Sequence, residues 1–183
     1  MANWQKKLNM NLIIASTAVV ISLCALVVSI QEVRLMRSQQ KVSLFPYLTI
    51  SEFYNSEGFG IRIKNNGTGL AKINSFQVFN DQQYFDTWLQ VADAYSLEED
   101  TINYGIMQSN GIKDEIITPN EKVVLVYLDW TKATRDLPSR LTDLNIKICY
   151  SSLLNDYWLI TNDETRMELD APCKVDEEKE FAD

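Results

Sequence analysis

Two carboxylate clusters, Glu98-Glu99-Asp100 and Asp163-Glu164, are the residues of this chain whose type and spacing come closest to chemistry. Adjacent acids can hold a divalent cation through oxygen, or act as the acid and base of glycoside hydrolysis. Neither cluster has the alternating Asp spacing of a calcium loop, which favours a solvated surface over a metal site. Cys149 beside Lys147 is a conceivable nucleophile and base, an unusual pairing. The chain has no histidine, which removes Ser-His-Asp and Cys-His catalysis, His-ligated zinc and imidazole proton transfer. Its three cysteines cannot make a four-thiolate metal site. The pairs Gly58-x-Gly60 and Gly67-x-Gly69 lack the third glycine and the strand-to-helix setting of a dinucleotide site, and read as turns. The residues therefore point to no catalytic set, no metal and no cofactor, and the expectation is a protein that is not an enzyme.

The elements that would position any site begin with a membrane-length segment. Leu12 to Ile30 holds 19 residues and no charge. As a helix it spans about 28 Å, close to the hydrocarbon thickness of a bilayer, and satisfies its own backbone hydrogen bonds there. Gln31 to Lys41 follows, polar and free of Gly and Pro, so the helix is expected to run on past the bilayer as a collar. A cleaved signal peptide has a shorter apolar core, which favours an uncleaved anchor. Trp4, Lys6 and Lys7 on one side, and Arg34 and Arg37 on the other, fit interfacial positions. The flanking positive charges are nearly balanced. The reading they favour, with cysteine usage in mild support, places the soluble domain on the cytoplasmic side. Cys149 and Cys173 could form one bridge, but two unpaired thiols are expected.

Ala15, Ala18, Ser22, Ala25 and Ser29 recur at steps of 3, 4, 3 and 4. Small side chains let helix backbones approach, so this seam is expected to pack on another membrane helix, from a second copy or another subunit. Membrane lipid is the other partner this segment implies.

The chain divides into residues 1–9 (a short N-terminal tail), 10–30 (the membrane helix), 31–43 (the collar), 44–170 (the soluble domain) and 171–183 (an acidic tail expected to be disordered). Residues 44–170 carry ten Lys/Arg against nineteen Asp/Glu, which makes the domain a poor ligand for nucleic-acid phosphates. Within it Tyr47–Phe53 and Phe59–Ile63 alternate as strands, and Leu70–Phe79 follows the turn Asn65-Asn66-Gly67-Thr68-Gly69. Residues 58–79 are therefore expected to form a hairpin, with the glycines supplying positive φ. Tyr84, Phe85, Trp88, Leu89, Ala92 and Tyr95 repeat at helical spacing, which predicts a helix over about 81–96 with Asp81 as N-cap. Short strands are expected within 102–118, a buried strand over Lys122–Trp130, a loop or short helix interrupted by Pro138, and strands around 144–150 and 157–161. Many short strands with regular turns indicate a mainly β, antiparallel sandwich with one inserted helix.

The order of membrane helix, collar, Phe45-Pro46-Tyr47-Leu48-Thr49-Ile50, Asn65-Asn66-Gly67-Thr68-Gly69-Leu70-Ala71, Thr118-Pro119-Asn120-Glu121 and the Tyr150…Tyr157-Trp158 hairpin resembles a broad group of bacterial single-span membrane proteins of unknown function. The group carries Pro where this chain has Leu70 and Gly where it has Asn120. The resemblance implies an immunoglobulin-like sandwich, a bacterial inner (cell) membrane location and no known activity. A membrane-anchored interaction or assembly protein is the function these observations favour, with a protein partner for the sandwich. The alternatives are a domain that senses a small ligand or cyclic nucleotide and signals through the single helix, and a histidine-independent hydrolase.

Overall fold

The computed structural model describes residues 2–96, 107–163 and 165–182; the side chains of 2–9 and 11 lie outside that description, as does the cluster Glu98-Glu99-Asp100. The chain forms two units, 1–42 and 43–183. In the first, helix α1 (Ala2–Ser43) runs unbroken through the apolar segment and the collar. Its apolar side chains from Leu12 to Met36 are exposed, none of the hydrophobic window being buried. This helix is long and apolar enough to cross a membrane.

The second unit is two antiparallel sheets. One has the order β1-β2-β7-β5, from β1 (Leu48–Tyr54), β2 (Gly58–Asn65), β7 (Lys122–Asp129) and β5 (Met107–Ser109). The other runs β10-β9-β8-β3-β4, from β10 (Arg166–Leu169), β9 (Tyr157–Thr161), β8 (Asn145–Ser151), β3 (Ala71–Phe79) and β4 (Tyr84–Phe85), with β6 (Ile116–Ile117) also on β3. In chain order this is the A-B-E-D and G-F-C-C′ arrangement of an immunoglobulin-like sandwich, with β10 added at one edge. Ile63 and Leu125 from the first sheet and Ile73, Phe76, Ile146 and Ile148 from the second are fully buried in one core. The fold is mainly β, as the alternating runs imply.

The 58–79 hairpin does not form. β2 and β3 belong to different sheets, so Asn66 to Leu70 crosses the core edge instead of turning back. No described glycine has positive φ. Gly67 and Gly69 are needed for close approach: a Cβ on Gly69 would lie 1.9 Å from the Leu44 carbonyl oxygen, and one on Gly67 2.3 Å from that of Phe45. Left-handed backbone falls on Asp114, Asn120 and Asn155, all in turns.

The helix expected over 81–96 is shorter. Asn80 accepts the N–H groups of Gln82 and Gln83 and closes a tight turn. Tyr84 and Phe85 then pair back on Val78 and Phe79. Helix α2 (Trp88–Tyr95) starts only at the N-cap Thr87, whose hydroxyl accepts from Gln90 N–H, and it buries Trp88, Val91 and Ala92. Pro138 sits in the first turn of α3 (Leu137–Arg140), where a missing N–H costs nothing.

The tail is not disordered. Cys173 is bonded to Cys149 of β8, which overturns the expectation of two unpaired thiols. Beyond it Phe181 is 1% exposed, wedged between Phe76 (5.0 Å) and Trp88 (5.1 Å). Phe181 N–H donates to Phe76 and Ala182 N–H to Asp86. The buried Glu180 carboxylate accepts from Ser75 Oγ and, at 3.1 Å, from Phe76 N–H. One aromatic side chain and one bridge outweigh the charge density that suggested disorder.

Candidate functional site

The seam residues Ala15, Ala18, Ser22, Ala25 and Ser29 are all exposed on α1. Their spacing places them on one stripe of the helix. Ser22 Oγ donates to the Ala18 carbonyl at 2.9 Å, so this hydroxyl is satisfied within its own helix and leaves the stripe smooth. Arg34 and Arg37 are exposed on the collar; the side chains of Trp4, Lys6 and Lys7 lie outside the described residues.

Two locks fix the start of the sandwich. Asn65 is fully buried, and its amide reaches three stretches of chain. Nδ2 donates to Gly69 O at 2.7 Å and Ile117 O at 3.1 Å, while Oδ1 accepts from Tyr47 N and Gly67 N. Asn65 thus supplies a bracket, and Gly67 and Gly69 a backbone without side chain to pass under it. Arg166 is the second lock. Its guanidinium lies 4.5 Å from the Phe45 ring, 4.7 Å from Tyr47 and 5.4 Å from Trp158. Trp158 stacks on Tyr150, which is fully buried. Burial pushes the Tyr150 phenol above its ordinary value, against the opposing Arg166 charge. This cage is built by β10, a strand that the alternation pattern did not reveal.

The outer face of the first sheet carries a different set. Phe53 of β1, Gly60 of β2 and Tyr127 of β7 lie side by side in register. The two rings are near-parallel, 5.9 Å apart and 14° between planes. A Cβ on Gly60 would meet Phe53 at 2.8 Å, and one on Gly58 would meet Tyr127 at 2.7 Å. Both glycines therefore make room for rings, and neither is turn chemistry. Arg62 lies 5.1 Å from the Phe53 ring centre and donates from Nε to Ser51 Oγ at 3.3 Å. Lys64 pairs directly across with Lys122. A groove of about 600 Å³ runs alongside, past Phe53, Tyr127, Gln108 and Lys122. In the sequence, Gly60, Arg62 and Lys64 register only as the polar half of a strand; the aromatic neighbours come from strands remote in the chain.

Among the described residues, the remaining candidates do not assemble a catalytic set. Cys149 is consumed by its disulfide and, with Lys147, lines a cavity of about 350 Å³ beneath Cys173. Asp163 accepts from the Thr161 hydroxyl and from Thr165 N–H, and the Thr161 hydroxyl chiefly holds its carboxyl below the usual range; Glu164 lies outside the described residues. Thr118 N–H and hydroxyl do the same for Glu121. Among the described residues no group of three acids or thiols could hold a metal.

Neither a curated protein nor a solved structure matches this chain. A family model described as Domain of unknown function (DUF8453) matches residues 12–171, a span that includes the apolar segment of α1 and both sheets. On that match the chain belongs to the DUF8453 family.

Proposed function

We propose that this protein is a membrane-anchored interaction or assembly factor of a bacterial inner membrane, working by contact through its sandwich and its single helix. The observation that carries the reading is the pairing of the uncharged segment 12–30 of α1, its side chains exposed, with an immunoglobulin-like body in which Cys149 and Asp163 are bonded for structure. Sandwiches of this topology serve many binding roles without chemistry of their own. The smooth stripe Ala15, Ala18, Ser22, Ala25, Ser29 supports close packing on a second membrane helix.

The Cys149–Cys173 bond supports the oxidising face of the membrane for the sandwich, the opposite side from the one the flanking charges favour. A near-tie in charge is the weaker argument of the two.

The test is the composition of the full chain purified in mild detergent. The reading expects a stoichiometric partner or a homo-oligomer by light scattering, and expects Ser22→Leu with Ala25→Leu to dissociate it. A clean monomer at micromolar concentration overturns it. Protease added to intact spheroplasts should remove the sandwich if it faces outward.

A further inference from the structure

We propose that the outer face of the first sheet binds an anionic saccharide, a short run of sugar rings bearing carboxylates. This goes beyond the contact role above and does not depend on it. Three features converge. First, Phe53 and Tyr127 lie near-parallel over Gly60 and Gly58, with no room for a side chain beneath either ring. Rings held in place this way offer an apolar surface that loses little freedom on binding, which suits the C–H face of a sugar. Second, the same face carries Arg62, Lys64 and Lys122. Lys64 and Lys122 are direct cross-strand partners, and like charges so placed weaken a sheet. Among the described residues no carboxylate forms an ion pair with any of the three. These cations stand on a chain of net charge −8, so the patch runs against the general field and an anion relieves its repulsion. Third, Arg62 is already oriented, by Ser51 and by the Phe53 ring. Along β2, Arg62 and Lys64 are two residues apart, about 7 Å, a spacing a row of carboxylates can meet.

The groove beside this platform, about 600 Å³, is also lined by Glu115 and Glu121. Both carboxylates are charged, Glu121 because the Thr118 hydrogen bonds favour its ionised form; they repel carboxylates at that end of the groove, so the anionic groups belong toward Arg62 and Lys64. A protein partner is the less favoured occupant, because a stable protein interface needs roughly 1,000 Å² with an apolar centre, and this face offers two rings.

The experiment uses the full chain in phosphatidylcholine nanodiscs, titrated with tetragalacturonate, with maltotetraose and with tetraglutamate. Tetragalacturonate is expected to bind, more weakly as salt rises. Lys64→Gln with Lys122→Gln, and separately Phe53→Leu, should each weaken it roughly tenfold, about one charge-assisted contact. Lys132→Gln, exposed elsewhere, should leave it unchanged. If Phe53→Leu fails to fold, the double lysine variant, at surface positions, still decides. The proposal is overturned if tetragalacturonate does not bind, if the double variant binds it as well, if maltotetraose binds equally (charge is then irrelevant), or if tetraglutamate binds equally (charge alone is then read).

Discussion

Asn65 shows how much one buried amide can carry. It closes four hydrogen bonds to backbone atoms of Tyr47, Gly67, Gly69 and Ile117. Asn65→Leu would strand those groups away from water, at about 1–3 kcal/mol for each that stays unpaired. A loss of 3 kcal/mol or more in urea unfolding is expected, and a loss under 1 would refute the bracket role. Gly69→Ala has no room beside Leu44, and about 1–3 kcal/mol should be lost there by overpacking. Asn120 belongs to the same lesson: it takes φ 64° where the related pattern carries Gly, and Asn tolerates that region better than most residues. Raised phenols set the alkaline limit, the buried Tyr150 among them. Tyr54, chiefly through its hydrogen bond to Glu52, and Tyr95, chiefly through burial, are both pushed up to about 12 from 10.0. Each folded phenol holds its proton more tightly than the unfolded one. The stability this contributes is complete below pH 10 and is lost as pH rises toward 12. Ultraviolet titration should find Tyr54, Tyr95 and Tyr150 ionising late, with the melting temperature falling over that interval.

At the level of elements, periodicity was informative where one strand buries one face. Ile61 and Ile63 against Arg62 and Lys64, and Ile146 and Ile148 against Lys147, alternate in the chain and in the sheet alike. It failed where pairing is decided by distant segments. A turn-like Asn-Gly run between two strands reads as a hairpin, yet these strands join different sheets, because the Asn65 bracket draws the crossing onto Leu44 and Phe45. The aromatic spacing from Tyr84 is helical on paper, but Asn80 spends the first residues on a turn. The C-terminal segment 171–182, a strap held by Cys173 and Phe181, was illegible because acidic density hid Phe181, and the pairing of Cys149 with Cys173 cannot be read from two isolated cysteines. The platform of Phe53 and Tyr127 was equally hidden, since register across β2 brings those rings together. The strap can be tested directly. Cys173→Ser opens a loop of sequence separation 24, and about 3 kcal/mol should be lost on the chain-entropy estimate. Phe181→Ala should cost about 3–5 kcal/mol and expose Trp88, seen as a red shift in its fluorescence.

At the scale of the whole molecule, a membrane-length helix and a separate sandwich are joined through a single stretch of chain at Val42–Ser43. The full chain should stay in the membrane pellet through an alkaline carbonate wash, while residues 43–183 alone should be recovered in the supernatant and unfold in one transition. Recovery of the full chain in the supernatant would end the membrane reading. The way the sandwich begins has a mechanical corollary. A pull along α1 enters the sandwich at Leu44, where the backbone is pinched against Gly69, then meets the Asn65 amide at Tyr47 and the Arg166 guanidinium clasped by Phe45, Tyr47 and Trp158. Those grips lie before the first residue of β1, so strain is shared across both sheets before any strand can peel. In optical-trap stretching Arg166→Met should rupture at visibly lower force than the parent chain.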